Sequence, residues 1–417
     1  MFTYGSSSIV ITKQVYIPPL DLSVTILPQN TTLQYDSTGM PSDWQDWPDF
    51  HNGVAAGLRI SPASRDVDSS WIVFNKPSEL TPKHAGFLLG IGLTGHLRSM
   101  VTWHAFSYLT PKHDLTSIGV LLGLSAAYIG TGDPLVTKLL SVHIPALLPA
   151  GSTELNLSAL TQASGLLGTG ILYLGTRHRH MSDVMLAEIG RKEVAVTDTR
   201  NDYRESYSLS ASLAFGMIMI GVGDTQSSPA ETAAITRLRG LVACDPALLR
   251  AQPLSGGRFH AELDVNVTSP GATIALGMMF LRTNRADMAA TFEVPDTLIN
   301  LDHVRPDFLL LRVLARNLIM WESLSPTKSW VEAQLPLFIR KAIRLRQSKH
   351  RPVEEAIDLA YYNIIAGACF SIGLKYAGTA DRQAYRTLIE YFDKFTKTVN
   401  INRESFPIPS HLSKSID

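Results

Sequence analysis

The 417-residue sequence predicts an all-α fold with a minor β insert, in which pairs of helices repeat along the chain and form a curved α–α superhelix or toroid. Two observations predict this fold. Apolar segments with helical spacing carry two small residues four positions apart on one face, and the first such pairs begin at 53, 86 and 119, which are 33 residues apart. Because each helical glycine costs about 1 kcal/mol relative to alanine, a repeated pair indicates close contact with a neighbouring helix.

The clearest unit is the stretch 112–145, which is typical of two helices joined by a tight turn. Its first helix is almost wholly apolar up to Ile129, and we expect the Asp114 carboxylate to cap its start. Gly130 is predicted to end this helix, because glycine readily adopts the left-handed conformation found at helix C-termini. Asp133 and Pro134 then predict the N-cap and first position of a second helix.

Units of this kind share three positions. Position one is Gly, Ser or Thr, position two lies four residues later, and position three lies seven residues further on, where the helix is expected to end. Since one helix pair cannot bury its apolar face alone, we expect an inner row of glycine-rich helices to stack, with an outer row around it. Positions one and two are Gly53/Gly57, Gly86/Gly90, Gly119/Gly123, Ser164/Gly168, Ser212/Gly216, Thr273/Gly277 and Gly367/Ser371. Position three is Gly130, Gly175, Gly223, Asn284 and Gly378, and Gly95 is expected to serve after Gly90.

The rest of the chain divides into a few segments. Residues 1–50 lack a helical period and are predicted to form an extended lead that packs on the array. The repeat array occupies 51–395, and a weaker unit fits residues 308–321. Insertions are expected at 61–82 and 225–268, and a frayed tail at 396–417.

Two segments predict strands instead of helices. SIVITKQVYI at 8–17 is one, and Phe259–Val267, which places apolar residues at alternate positions, is the other. Together they predict a small β element beside the helices.

Composition excludes several classes of protein. Lys+Arg and Asp+Glu both number 37, so that no overall field favours nucleic acid or an anionic membrane. Two cysteines argue against a disulfide framework and fit a reducing compartment. We expect no signal peptide at the N-terminus, and the longest apolar runs fall short of the roughly 20 residues that span a bilayer. The expected location is therefore intracellular, with no membrane or nucleic-acid partner.

Several patterns resemble cofactor-binding or catalytic motifs, but each lacks a feature that its motif requires. Gly90, Gly92 and Gly95 form a GxGxxG pattern, but it lies inside a predicted helix with no strand before it. Ser125 lacks the second glycine of a nucleophile elbow. Nothing places the acidic residues as a catalytic pair, which leaves a helical-toroid hydrolase as a remote alternative; these residues are Asp46, Asp49, Glu262 and Asp264. We therefore predict no catalytic residue, no cofactor and no small-molecule substrate.

The densest polar cluster is Arg177, His178, Arg179 and His180. Two histidines two residues apart bind metal only with further ligands, and no cysteine or carboxylate stands at ligand spacing, so we predict no metal site. The cluster is interpreted as an inter-helix loop that is solvated or contacts a partner protein. The long polar segments 176–206 and 225–258 are likewise candidate partner-binding loops. The basic helix at 340–346 is interpreted as a solvated face.

Several blocks of the sequence resemble the proteasome/cyclosome repeat family. The similarity runs from about Phe50 to Phe395. Its linking blocks, STEL, HRH, AEIGR and FHNGVAAGL, are closer to the cyclosome branch, the large scaffold subunits of the anaphase-promoting complex, than to proteasome base subunits. The repeat blocks that carry the resemblance are HAGFLLGIGLTGHL, TSIGVLLGLSAAYIGT, SPGATIALGM and IIAGACFSIG.

The resemblance implies a non-catalytic scaffold in a cell-cycle ubiquitin ligase, present in the nucleus and cytoplasm. It implies three kinds of partner, namely the cullin–RING catalytic module, the substrate co-receptor and the activator. A proteasome base scaffold is the main alternative.

Overall fold

The computed structural model describes residues 14–34, 42–100, 102–149, 155–191, 201–224, 228–243, 264–349 and 355–405. Within these ranges the chain is helical except for one two-stranded hairpin and the connecting turns. The prediction of an all-α helical repeat fold is confirmed. The chain forms two compact units, Met1–Ile220 with Gly240–Ala275, and Gly221–Arg239 with Leu276–Asp417.

The helices of the first unit alternate between long apolar ones and short flanking ones. They are α1 (Asp46–Leu58), α2 (Ser69–Phe74), α3 (Pro82–Leu93), α4 (Thr102–Leu109), α5 (Asp114–Ala127), α6 (Pro134–Ser141), α7 (Ala159–Leu172), α8 (Arg179–Glu188) and α9 (Asn201–Ile218). Two further helices, α10 (Pro229–Ala243) and α11 (Val265–Met279), have residues in both units. Short 3₁₀ turns occupy Ser42–Gln45, His96–Ser99 and Pro145–Leu147.

The remaining helices belong to the second unit. They are α12 (Ala286–Ala289), α13 (Leu298–Asp302), α14 (Pro306–Ile319), α15 (Lys328–Ala333), α16 (Leu337–Lys349), α17 (Glu355–Tyr376) and α18 (Arg382–Ser405). Helix α18 extends past residue 396, so that the tail predicted to be frayed is helical as far as Ser405. Short 3₁₀ turns occupy Val222–Asp224, Ala290–Phe292 and Trp321–Ser323.

The β element differs from the expected one. Strands β1 (Val24–Ile26) and β2 (Thr31–Leu33) form an antiparallel hairpin whose six residues are all exposed. Of the strand expected at 8–17, residues 14–17 form none and the others lie outside the described residues. Of the strand expected at Phe259–Val267, residues 265–267 are instead the first turn of α11, and 259–263 lie outside the described residues.

The lead-in segment contacts the first helices through two hydrogen bonds. The backbone N–H of Val15 donates to Oδ1 of Asn75 at 2.7 Å, and Nδ2 of Asn52 in α1 donates to the carbonyl of Pro18 at 2.7 Å. Residues 14–18 therefore lie against α1 and the end of α2.

Five helices of the first unit, α1, α3, α5, α7 and α9, pack side by side in chain order, each against the next. With α11, α14 and α17 we call them the stacked helices. Their spacing is set by glycine, because a Cβ added at Gly86 would lie 1.8 Å from the Phe50 carbonyl oxygen, and one at Gly53 would lie 2.0 Å from that of Lys83. At Gly119 the added Cβ would lie 2.2 Å from the carbonyl oxygen of Ala85. No side chain fits these positions while the backbones stay in place.

The second glycine of each pair also faces a neighbouring helix. A Cβ at Gly57 or Gly90 would lie under 3.0 Å from the partner backbone. At Gly123 the nearest atom is the end of the Leu97 side chain, at 2.8 Å, which can yield more easily than backbone. Gly168 faces Ser125 Oγ at 2.7 Å, Gly277 faces Ala315 Cα at 3.0 Å, and Gly216 is buried in α9. Gly367, the position-one residue of the last pair, faces the Leu310 carbonyl at 2.7 Å.

Residues 61–82 are not simply a polar insertion, because they contain helix α2. Asp68 accepts the Trp71 N–H at 2.8 Å and so starts this helix, which buries both Trp71 and Ile72. Four apolar residues in a polar stretch, WIVF, therefore form one amphipathic turn and a half.

Helix α5 begins differently from the prediction. His113, not Asp114, is the N-cap, and its Nδ1 accepts the Thr116 N–H at 3.3 Å. The Asp114 carboxylate instead accepts hydrogen bonds from Ser158 Oγ at 2.7 Å and Thr161 Oγ1 at 3.1 Å, at the start of α7. Asp114 thus joins two successive stacked helices.

His84 of α3 is buried against the ring of Tyr108, with the ring centroids 5.7 Å apart and Nε2 3.3 Å from the Tyr108 hydroxyl. Desolvation by burial, assisted by the nearby Lys76 ammonium, lowers the pKa of His84 from 6.5 to about 4. The folded chain therefore holds this imidazole neutral at pH values where the unfolded chain protonates it.

We expect the free energy of unfolding to fall as the pH is lowered from about 6.5 to about 4, with His84 contributing about 3 kcal/mol to the loss. The sign follows because the unfolded state binds the proton first in this range. Urea denaturation of the parent and of His84→Gln at several pH values measures it. His143, whose pKa burial also lowers, is present in both proteins, so the difference between their curves isolates His84. Parallel curves would contradict the assignment.

The second unit is built around α17, which packs against α14 and is flanked by α13, α15, α16 and α18. By length and composition α17 could cross a membrane, contrary to the expectation that every apolar run is too short. Here its residues Ile364, Ile365 and Ala368 are fully buried in a core with Val313 of α14. The helix is thus the centre of this unit.

Candidate functional site

The turn after α5 joins that helix to α7 through backbone hydrogen bonds. Gly130 and Gly132 have φ values of +68° and +60°. This left-handed geometry directs their N–H groups to the last carbonyls of α7, Ile171 at 3.1 Å and Leu172 at 3.0 Å. The last carbonyls of a helix lack the amide partner four residues on, so the turn supplies a donor to Leu172 and a second donor to Ile171, which also accepts the Leu174 N–H at 3.2 Å. We call this arrangement, two left-handed residues two positions apart that bind the end of the next stacked helix, a carbonyl clasp.

The clasp recurs in the next turn of the first unit. Gly175 (φ +68°) donates to the Met217 carbonyl at 2.9 Å, and Arg177 (φ +56°) donates to that of Ile218 at 3.2 Å. Both acceptors are the last carbonyls of α9. At Gly130 and Gly175, position three of the sequence repeat is therefore the first residue of a clasp.

Clasps also occur in the second unit. Arg282 and Asn284, both left-handed, donate to the carbonyls of Leu318 and Ile319 at the end of α14, each at 3.0 Å. In the preceding turn the left-handed residue is Gly221, which donates to the Met278 carbonyl at 3.2 Å.

The repeat spacing predicts Gly223 as the position-three residue of this turn, and this prediction is wrong, because the left-handed residue is Gly221. Gly223 is not left-handed, and a Cβ there would lie 2.1 Å from the Phe280 ring, so that this glycine makes room for an aromatic side chain instead.

Two junctions use a side-chain cation in place of a backbone clasp. Arg98 Nε donates to the Ala127 carbonyl at the end of α5, at 2.5 Å. Lys375 Nζ of α17 donates to the carbonyls of Trp321 at 2.7 Å and Leu324 at 2.9 Å, in the turn after α14. Gly95 is left-handed (φ +88°), as expected for a residue that takes over position three.

The predicted partner-binding residues, Arg177–His180, form what we call the RHRH turn. All four side chains are exposed, while the backbone at Arg177 is held by the clasp to α9. His178 is the N-cap of α8, since its Nδ1 accepts the Met181 N–H at 3.3 Å, and its ring packs edge-on against Tyr173 with centroids 4.9 Å apart. The turn therefore presents two guanidinium groups and an imidazole to solvent from a fixed backbone.

Helix α8 anchors the RHRH turn to the first unit. Met181, Met185 and Leu186 are buried, whereas Arg179 and Asp183 form an exposed pair at 3.7 Å. The segment 176–206, expected to be a long loop, is thus largely helical, with residues 192–200 outside the described part. Of 225–258, residues 229–243 form α10, and 225–227 and 244–258 lie outside the described part.

A buried polar network lies where α8 ends. The Glu188 carboxylate accepts the Tyr207 hydroxyl at 2.6 Å and the Arg191 guanidinium at 2.9 Å. Desolvation is the largest single cause and acts to lower the pKa of Arg191, but the charge and hydrogen bond of Glu188, together with Tyr207, outweigh it and raise that pKa above its ordinary value. None of the patterns described in the sequence predicts this network. The AEIGR block, in which a lone glutamate stands three residues before an arginine, is the signal that could have indicated it.

Two side chains that could act as nucleophiles, Ser125 and Cys369, lie within helices in the described part of the chain and are at least partly buried. Ser125 is buried, and its hydroxyl donates to the Leu121 carbonyl at 2.7 Å. Burial raises the pKa of the Cys369 thiol to about 11, which disfavours the thiolate; Cys244 lies outside the described residues. Among the described residues no three His, Cys, Asp or Glu side chains group as a metal site.

The acidic residues considered as a pair are separated in role. Asp46 and Asp49 lie in the first turn of α1, where Asp49 is 3.7 Å from Lys83. Asp264 precedes α11 and accepts the Asn266 N–H, and Glu262 lies outside the described residues.

In the basic helix α16, Arg340 donates to the carbonyls of Leu335 and Ala333.

Two family models match the chain in succession. Residues 1–129 match the model described as the APC1 fourth domain, and residues 134–415 match that of the APC1 fifth domain. The junction between the two models falls in the turn that contains the first backbone clasp.

Known proteins match almost the whole chain. "Negative regulator of mitosis" from Emericella nidulans is 41% identical over 99% of this chain, and "Anaphase-promoting complex subunit 1" from Homo sapiens is also 41% identical over 99%. The protein of the latter name from Schizosaccharomyces pombe is 39% identical over 96%. The chain spans 19%, 22% and 26% of these three relatives, respectively. Their names favour the cyclosome over the proteasome.

Proposed function

The chain belongs to the anaphase-promoting complex subunit 1 family, and on that premise we propose that it is a non-catalytic scaffold segment of a cell-cycle ubiquitin ligase. The observation that carries the proposal is the succession of the two family models, which together account for residues 1–129 and 134–415. As a scaffold segment, the chain positions the cullin–RING catalytic module, the substrate co-receptor and the activator. It acts in the nucleus and cytoplasm, and two cysteines in 417 residues fit a reducing compartment.

The stacked helices support a scaffold role because their spacing is set by backbone contact. At Gly86 the neighbouring carbonyl would be 1.8 Å from an added Cβ, so that the two helices cannot move closer and have little freedom to slide. A surface built on such helices holds its turns at fixed separations within each unit. That is the property needed to position partners.

We assign partner contact to the RHRH turn. Its guanidinium groups are suited to carboxylates on a partner, since arginine binds them with paired hydrogen bonds and is enriched at energetically important interface positions. The backbone of the turn is already ordered by the clasp, so that binding loses less conformational entropy than binding by a free loop.

Replacing Arg177, Arg179 and His180 together by alanine in the full-length subunit is expected to weaken association with the partner subunits about tenfold, as expected for the loss of one important arginine. His178 is left in place because it caps α8. Recovery of the other subunits with the purified variant, and ubiquitination by the reassembled complex, measure the effect.

The matched control is Arg59→Ala/Arg65→Ala/Lys138→Ala, which removes three exposed basic side chains elsewhere in the first unit. It should assemble normally, and both variants of the 417-residue chain should melt like the parent. An unfolded RHRH-turn variant would make the turn structural, and normal assembly would show that it is no interface. Ubiquitin conjugates made by the purified chain alone would overturn the non-catalytic assignment.

A further inference from the structure

Three arginine side chains of the second unit lie beside the segment that joins α15 to α16. The guanidinium of Arg316 in α14 donates to the side-chain Oε1 of Gln334 at 2.5 Å. The guanidinium of Arg340 in α16 donates to the backbone carbonyls of the residues on either side of Gln334, at 3.1 and 2.8 Å. Arg312 lies one turn before Arg316 on the same side of α14. We call Arg312, Arg316 and Arg340 the arginine cluster.

The charge of the arginine cluster is not neutralised within the described part of the chain. Its three side chains are only partly exposed, yet none of them forms an ion pair with a carboxylate of a described residue. A charge withdrawn from water is ordinarily paired, because its desolvation is otherwise uncompensated. The arginines of this unit that do pair with carboxylates have side chains that are 42–63% exposed; they are Arg282, Arg285 and Arg305.

Burial has a measurable consequence at two members of the cluster. Desolvation lowers the pKa of Arg312 and of Arg316, and at Arg316 the charge of Glu293 offsets only part of the effect. A lowered pKa means that the surroundings disfavour the charged form of the guanidinium group. An anion that bound here would supply the compensating charge that the described residues lack.

Most N–H groups of the arginine cluster have no acceptor in the described part of the chain. Each guanidinium has five N–H donors; Arg312 uses one, to the Glu293 carbonyl at 3.4 Å, Arg316 uses one and Arg340 uses two. Arg344, one turn after Arg340, is exposed and adds positive charge beside the cluster. A phosphate monoester, with about −1.5 to −2 charges and three acceptor oxygens at pH 7, matches several guanidinium groups better than a carboxylate does.

We propose that the arginine cluster binds a phosphorylated serine or threonine of a partner protein. The phosphate oxygens accept hydrogen bonds from Arg312 and Arg316, one turn apart on α14, and from Arg340 across the junction of α15 and α16. A protein ligand is favoured over nucleic acid because three guanidinium groups form a compact site, and the chain as a whole has no net charge. The inference deepens the proposed scaffold role and rests on it only for the source of the phosphorylated segment.

Peptide libraries test the chemistry of the ligand. Three libraries of random sequence carry phosphoserine, glutamate or serine at one fixed central position and are immobilised. The phosphoserine library should retain the 417-residue chain at least about tenfold more strongly than the serine library, and less strongly as the salt concentration rises. Equal retention by the glutamate library would make the ligand a carboxylate. Equal retention by all three libraries, or tighter binding of random-sequence duplex DNA, would also overturn the inference.

Arg312→Gln/Arg316→Gln separates binding from folding. Glutamine keeps N–H donors but removes both charges, so the variant should melt at or above the temperature of the parent, because two charges without a carboxylate partner are no longer desolvated. Its retention by the phosphoserine library should fall about tenfold. A variant that melts well below the parent would assign the charges to the fold and overturn the inference.

Arg312→Lys/Arg316→Lys tests the hydrogen-bond geometry in a chain that keeps both charges. Lysine lacks the planar pair of donors, so this variant should fold like the parent and still lose retention severalfold. Retention equal to that of the parent would contradict the assignment to these guanidinium groups.

The matched control is Arg382→Gln/Arg386→Gln, which removes two exposed arginines at the same spacing on α18 of the same unit. It should melt and bind the phosphoserine library like the parent. A loss equal to that of Arg312→Gln/Arg316→Gln would show that only net charge matters, and the cluster would not be a site.

Assembly of the full-length subunit tests the source of the phosphate. Phosphatase treatment of the partner subunits before assembly should weaken their association with the parent, but not with the Arg312→Gln/Arg316→Gln variant, which is already weakened. An association that phosphatase leaves unchanged in the parent would overturn the assignment to a partner. Failure to recover any partner subunit, with binding of the phosphoserine library intact, would instead contradict the scaffold role.

Discussion

Gly86→Ala is expected to destabilise the first unit by about 3 kcal/mol or more, an unusually large effect for the addition of one methyl group. The added Cβ would lie 1.8 Å from the carbonyl oxygen of Phe50 and 2.7 Å from its carbonyl carbon. Both atoms are backbone in α1, so that relief requires α1 and α3 to move apart, which opens the core where Phe50 and Ala85 meet. The midpoint of chemical denaturation, followed by helical circular dichroism, measures the effect.

Two other glycines provide a graded control. At Gly123 the nearest atom to an added Cβ is the mobile end of the Leu97 side chain, so Gly123→Ala should cost less than Gly86→Ala. At Gly373 nothing lies within 4 Å, and Gly373→Ala should be neutral or stabilise α17 by up to about 1 kcal/mol through helix propensity. Equal effects at the three positions would mean that helix propensity, and not close contact, governs these glycines.

Glu188→Ala should cost about 3 kcal/mol, because it leaves two polar partners in the protein interior. The Tyr207 hydroxyl, which donates to Glu188 at 2.6 Å, belongs to a fully buried side chain, and the Arg191 guanidinium is only 21% exposed. The buried carboxylate also raises the pKa of Tyr207, together with desolvation, which is the larger cause. Denaturation of the variant chain measures the cost.

The matched control is Asp183→Ala in the same helix. Asp183 pairs with Arg179 at 3.7 Å, but both side chains are more than half exposed, so the change should cost at most about 0.5 kcal/mol. Glu188→Gln, which can still accept the Tyr207 hydroxyl, should fall between the two. If Glu188→Ala lowered the free energy of unfolding as little as Asp183→Ala, water would have to reach both the Tyr207 hydroxyl and the Arg191 guanidinium.

The stacked helices could be predicted because the paired glycines are close together in the sequence and each lowers the stability of its own helix. A helical glycine is unfavourable by itself, and Gly119 and Gly123 on one apolar face therefore had to be compensated by contact between helices. The left-handed conformation of Gly130 was predictable for a similar reason, since glycine adopts it without strain. Neither argument needs knowledge of the partner helix.

What the sequence could not show depends on partners that are distant along the chain. Asp114 is expected from the sequence to cap α5, but the same carboxylate can instead bind another helix. It does so because Ser158, 44 residues further along the chain, lies within hydrogen-bond distance. The burial of Trp71 depends on neighbours of the short helix α2, and a strand and a single helical turn are hard to distinguish in four apolar residues. The RHRH turn was identified by its charge, while its capping histidine was not foreseen.

The carbonyl clasp also bears on how a repeat protein of this kind can change during evolution. The clasp is made by main-chain N–H groups, so that the register between two helices is specified without reference to side-chain chemistry. Position 132 is a glycine, position 177 is an arginine and position 284 is an asparagine, yet all three donate to the last carbonyl of the next stacked helix. Mutation can therefore alter the chemical character of such a turn, and with it the choice of binding partner, at little risk to the architecture underneath. The binding specificity of such a turn can therefore change while the main-chain hydrogen bonds that hold the fold stay the same.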